Sequence, residues 1–169
     1  PTDGRVYSVP ADNPFVELAG ARPEIWAYGL RNPWKFAIDQ KTGAIFVADN
    51  GWESWESIHH VVRGGNCGWP IMEGRAILRS EVPRGPTPIR PPVKDHPHTE
   101  ANSVIGGLVY RGGQLDLDGW FVYGDYVTGR LWGMWHDGKK LLRNELLADT
   151  RQRIVTFGQA ADGEVLFLN

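Results

Sequence analysis

Arginine and asparagine placed side by side ahead of a proline are the first candidate for chemistry in this chain. Pro33 keeps Asn32 out of the helical region, so Arg31 and Asn32 fall on an extended bend that can aim both side chains at one point. Arginine offers a planar fork of donors suited to carboxylates, and asparagine donates and accepts at once. A structural reading fits the same residues, with Arg31 capping strand carbonyls and Asn32 serving a turn. The glycine-punctuated, aromatic loop from Asp49 to Glu56 comes next, as a ligand-facing loop on a β scaffold. Its alternative is a solvent loop whose Trp55 packs beneath Gly64 and Gly65.

Three further groups have spacings that suggest function. Arg151 and Arg153 stand at i and i+2, which on an extended strand turns both to one side, as would also suit a solvated basic face. His96 and His98 alternate in the same way with Glu100 nearby, a partial metal-ligand pattern that equally suits a loop rim or a capped turn. His59 and His60 are adjacent, so an extended backbone sends them to opposite faces, one of them toward the core.

These residues need β elements to position them. Phe36 to Ile38 and Ala44 to Val47 flank Asp-Gln-Lys-Thr-Gly, the signature of a hairpin loop ending in glycine. Aligning Gly43 with Gly163 superposes FAIDQKTGAIFVAD on TFGQAADGEVLFLN, a repeated strand-turn-strand unit that predicts a spacing of about three blades of roughly 40 residues. Gly119 to Lys140 predicts further antiparallel strands closed by an Asp137-Gly138 turn, while Gly4 to Val9 and Glu24 to Leu30 also read as strands. Arg75 to Pro97 carries five prolines from Pro83 to Pro92, which exclude a central strand and predict a long inter-blade loop. The 21 glycines and 12 prolines favour an all-β chain, and burial between strands is the simplest use for most of its eight tryptophans.

Four motifs in order, Gly29 to Trp34 (GLRNPW), Asp39 to Gly43, Asp49 to Glu56 and Gly64 to Pro70 (GGNCGWP), resemble the glucose/sorbosone dehydrogenase family. The resemblance continues through Ser103 to Gly112 and Phe121 to Trp132 to the end of the chain. It implies an antiparallel six-bladed β-propeller, of which residues 1–169 supply about three blades, the C-terminal half of a domain truncated on its N-terminal side. The activity it implies is oxidation of an aldose or related alcohol by hydride transfer to pyrroloquinoline quinone (PQQ). The same family includes non-enzymatic propellers that bind carbohydrate or protein. By resemblance, Arg31, Asn32, Arg151 and Arg153 face the cofactor, the Gly51 and Trp52 carbonyls hold Ca²⁺, and Glu56 matches an acidic position near the substrate. Asn50 and Trp52 replace a glutamine and a proline of the family pattern, and Val127 stands where a lysine is expected. No residue here matches the family's histidine general base, so no catalytic residue is assigned to this segment.

The net charge of −2, without a basic cluster, provides no electrostatic footprint for nucleic acid. Cys67 is the single cysteine, which excludes an internal disulfide and any C-x-x-C site. No stretch has the apolar length of a membrane span. The start at Pro1 reads as a piece of a longer protein, and family resemblance implies export to the periplasm or cell exterior. Half a propeller also implies a partner for its open edges, either the missing half or a second copy.

Overall fold

Short β-branched and aromatic runs separated by turn residues fold into strands in a computed structural model, which describes residues 7–169. β1 (Pro33–Ile38) and β2 (Ile45–Asp49) form the hairpin expected around Asp39 to Gly43. Gly43 takes a φ of +75°, a left-handed conformation glycine adopts without strain, and the Asp39 carboxylate accepts from the Thr42 hydroxyl at 2.6 Å. β3 (Trp55–Val61) follows, then a small hairpin of β4 (Met72–Glu73) and β5 (Ala76–Ile77), then β6 (Lys94–Pro97). The first sheet has the order β1-β2-β3-β6. The second is a meander of β7 (Val104–Val109), β8 (Phe121–Asp125), β9 (Arg130–His136) and β10 (Leu141–Asp149). β11 (Thr156–Gln159) and β12 (Val165–Leu168) pair as the start of a third.

Strands β1, β7 and β11 lie next to one another, each the first strand of its sheet. Gly106 permits this, since a Cβ there would overlap the Lys35 carbonyl of β1. The Lys35 ammonium donates to the Thr156 hydroxyl at 3.1 Å and to the Phe157 carbonyl, tying the first sheet to the third. Period-2 alternation fills both gaps between sheets. Phe121 and Tyr123 point toward the first sheet and stack with Phe46 and Trp132, while Val122 faces Ile154 and Phe157 on the other side. All-β antiparallel sheets set side by side in this way are blades of a β-propeller, two complete and one begun.

Several sequence-based expectations change. The repeated hairpins β1-β2 and β11-β12 are two blades apart, because the first blade carries the β3–β6 insertion. That insertion lies within a blade, and its end pairs with β3 as an edge strand. Glu24 to Leu30 forms no strand beyond an isolated bridge from Tyr28 to Asn66; its backbone bonds instead to the glycine-rich Gly65–Trp69 loop. Gly4 to Val9 falls partly outside the described residues, and Tyr7 to Val9 are not strand. Of the eight tryptophans only Trp120 and Trp132 are buried; Trp26, Trp34, Trp52 and Trp135 are exposed.

Candidate functional site

The strand directions bring residues 31–32, 49–56, 98–103, 125–130 and 150–153 to one end of the blades. Asp49, the last residue of β2, organises this end. Its carboxylate accepts from the Arg31 amide at 3.0 and 3.1 Å and from the Asn32 amide at 2.7 Å. Burial raises the Asp49 pKa, and these amides oppose the rise. With their backbones satisfied in this way, neither side chain is needed to hold the bend. The Arg31 guanidinium donates to the Asn50 carbonyl at 3.2 Å and lies 5.5 Å from the Trp69 ring centroid. Asn32 is exposed beside it.

Glu73 shapes the neighbouring loop. One of its oxygens accepts from the amides of Trp52, Glu53, Ser54 and Trp55 at 2.8 to 3.1 Å. Burial pushes the Glu73 pKa up, but the four amides outweigh it and hold the carboxyl below its ordinary value. Because the amides converge on Glu73, the Gly51 and Trp52 carbonyls accept no hydrogen bond among the described residues. Beneath them the Asn50 Oδ1, on a side chain only 7% exposed, is also without a partner. A cavity of 20 Å³ lies here, lined by Arg31, Asn50, His59 and Glu73 among others. Trp55 packs against Gly74, not beneath Gly64 and Gly65. Among the described residues no cluster of three or more His, Cys, Asp or Glu could hold a metal, so a cation at this end would rest on carbonyl and amide oxygens.

Arg151 and Arg153 reach the same end, but not as an i, i+2 pair on a strand. Arg151 has a φ of +56° and Gln152 is a bend, so the extended geometry is broken. Arg153 donates to the Tyr126 hydroxyl at 3.4 Å and lies over its ring. The blade register gives it another meaning. Asp49 is opposite Pro33 and receives the two preceding amides, while Asp125 is opposite Val104 and receives those of Asn102 and Ser103. Extending the Thr156–Leu168 pairing places Asn169 opposite Val155, so Arg153 is the third-blade counterpart of Arg31.

Glu56 is 1% exposed and lies in the seam between blades. Its carboxylate accepts from the Val104 amide at 3.1 Å and contacts His98 Nε2 at 3.0 Å, so it presents His98 at this end rather than its own oxygens. Burial raises the Glu56 pKa. His96 and His98 do not converge on a metal: His96 pairs with the Tyr123 hydroxyl at 2.8 Å and with Glu100 at 3.0 Å. His59 is buried and His60 half-buried, as their alternation requires. The Cys67 thiol is buried and pushed up to about 12, which makes it unreactive. The sequence reading missed Glu73, Asp125 and the contact of Trp69 with Arg31. The matching ends of β2 and β8, Val-Ala-Asp and Tyr-Gly-Asp, were the available signal for Asp125.

Antiparallel blades with a polar, arginine-bearing end define a β-propeller whose loops gather on one face. The chain belongs to the glucose/sorbosone dehydrogenase family, whose profile matches residues 3–169. It is 36% identical over 141 residues to the HIPL1 protein of Arabidopsis thaliana, covering 75% of this chain and 20% of that protein. It is 40% identical over 63 residues to the aldose sugar dehydrogenase YliI of Escherichia coli, covering 37% of this chain and 17% of the enzyme. A solved glucose dehydrogenase superposes with a TM-score of 0.72 at 26% identity, covering 95% of this chain and 47% of that one. The chain therefore spans about a fifth of its curated relatives and under half of the solved enzyme. Among the described residues no helix is long and apolar enough to cross a membrane.

Proposed function

We propose that this chain provides a cofactor-facing surface of an exported PQQ-dependent dehydrogenase that oxidises an aldose or related alcohol. The observation that carries the reading is the Asp49 clamp, which holds the Arg31 and Asn32 backbones without drawing on either side chain. Arg31 then donates to quinone oxygens or carboxylates, Asn32 orients the reacting end, and Arg153, from the equivalent place in the third blade, pairs with a second anionic group. Arg151 is placed to join it. The unpartnered Gly51 and Trp52 carbonyls and the orphaned Asn50 oxygen fit a hard cation, so Ca²⁺ is assigned to that loop. When bound, the quinone supplies the hydride acceptor. Glu56 holds His98 at the rim of the substrate space. No general base is assigned to this chain, and turnover is proposed for the whole protein.

A second reading, a propeller that binds carbohydrate or protein without redox chemistry, is favoured by the exposed tryptophans. Calorimetric titration of PQQ with Ca²⁺ present, then with chelator, separates the two readings. The enzymatic one expects saturable, Ca²⁺-dependent binding weakened at least tenfold in Arg31→Ala. Absence of PQQ binding to the folded chain and to the full-length protein overturns it.

A further inference from the structure

A row of two indoles flanked by two arginines runs outward from Arg31. The Arg31 guanidinium lies 5.5 Å from the Trp69 ring centroid, Trp69 meets Trp52 edge to face at 6.1 Å, and the Arg79 guanidinium lies 5.4 Å from Trp52. Its four members come from four separate places in the chain, and the backbone of each is held by bonds outside the row. Trp52 is held through its amide by Glu73, and the amides of Leu78 and Arg79 both donate to the carbonyl of buried Ile71. The Trp69 amide donates to the Gly29 carbonyl at 2.8 Å. The backbone beneath the row is therefore pre-positioned, and a ligand need not order it.

Two features mark it as a binding surface. Trp52 is 45% exposed although a large indole gains by burial. Arg79 makes no ion pair and no side-chain hydrogen bond among the described residues; its guanidinium contacts only the Trp52 ring there. Arg75, by contrast, pairs with Asp95 at 3.2 Å. The loop from Arg75 to Val93 holds four arginines against the single acid Glu81.

We propose that Arg79, Trp52 and Trp69 form a subsite for an acidic oligosaccharide that extends from the Arg31 face. This rests on the proposed reading of that face and names its substrate class. The indoles offer apolar rings to the C–H faces of successive sugars, and Arg79 pairs with a carboxylate on a sugar beyond the reacting one. Two indoles stand between Arg79 and Arg31, so the two arginines serve different ligands: Arg31 the quinone and Arg79 the saccharide. A neutral sugar would gain the stacking and leave the Arg79 donors unused.

The test is titration of the full chain with trigalacturonate, maltotriose and inorganic sulfate, followed by tryptophan fluorescence and calorimetry. The saccharide titrations are run on wild type, Arg79→Gln and Trp52→Ala with no quinone present, and PQQ is titrated separately into the same three proteins. Trigalacturonate is expected to bind at least tenfold more tightly than maltotriose. Arg79→Gln should abolish that preference without changing PQQ affinity, and Trp52→Ala should weaken both saccharides. Equal affinities in the wild type, an undiminished preference in Arg79→Gln, or sulfate binding as tightly as trigalacturonate would each overturn the proposal. Saccharide discrimination without PQQ binding would leave the subsite standing and remove the dehydrogenase reading; PQQ binding without discrimination would do the reverse.

Discussion

Glu73 holds a whole loop with one oxygen, and its ionisation is linked to stability with a definite sign. Its carboxyl is depressed in the fold, so its contribution is complete above the ordinary value of 4.5 and is lost as pH falls through the folded value. Replacing Glu73 with glutamine should cost about 2 kcal/mol at neutral pH in urea unfolding, the scale of hydrogen bonds to a charged acceptor. The gap between wild type and variant should close below pH 4.5. His59 acts in the same direction. Burial lowers it from 6.5 to about 4, with Asp95 partly opposing, so the unfolded chain takes up a proton that the fold refuses. Wild type should lose on the order of 3 kcal/mol through this group as pH falls across that interval. Parallel unfolding curves for His59→Gln should show a shallower pH dependence over the same range.

At the scale of elements, a recurring device ties the entry of each complete blade to its second strand at the functional end. An aspartate closing the second strand of a blade accepts the amides just ahead of the first strand, as with Asp49 and again with Asp125. Asp125 adds the amides of Val127 and Thr128 on its other oxygen, so one side chain satisfies four donors. Asp125→Ala should destabilise the fold by at least ~3 kcal/mol, since buried unsatisfied donors each cost about 1–3 kcal/mol. Hydrogen exchange should accelerate at residues 102, 103, 127 and 128 before the rest of β8. The hairpin at Asp39 to Gly43 was legible because its turn chemistry is local. Glu24 to Leu30 was misread because its apolar residues, such as Ala27 and Leu30, pack beside Val47 and Cys67 from a loop, which burial pattern alone does not separate from a strand.

For the molecule as a whole, the two flanks of the blade set are apolar and open. Trp34, Phe36 and Ile38 line one side of β1, Phe36 being 60% exposed, and Leu166 and Leu168 line β12, Leu168 being 64% exposed. In a closed ring such surfaces face neighbouring blades. The isolated chain is therefore expected to associate through these flanks in sedimentation velocity. Phe36→Lys together with Leu166→Lys should shift it toward monomer, and persistent association in that variant would place the contact elsewhere. A cleft of 710 Å³ at the opposite end, lined by Phe46, His60, Arg111, Trp135 and His136, contains none of the residues assigned to cofactor or saccharide.

Fold class, hairpin repeat and family were legible in the chain alone, because turn glycines and strand alternation act over a few residues and motif order survives without coordinates. Arg31 and Asn32 were legible too, since a proline restricts its predecessor wherever it occurs. What those residues touch depends on long-range packing. Glu73 captures four amides from a loop about twenty residues away, Glu56 is withdrawn into a blade seam, Arg151 leaves the extended conformation, and Arg79 comes to lie over Trp52. Each of these outcomes depends on which distant segments the blade packing brings together, and no local spacing in the chain records that.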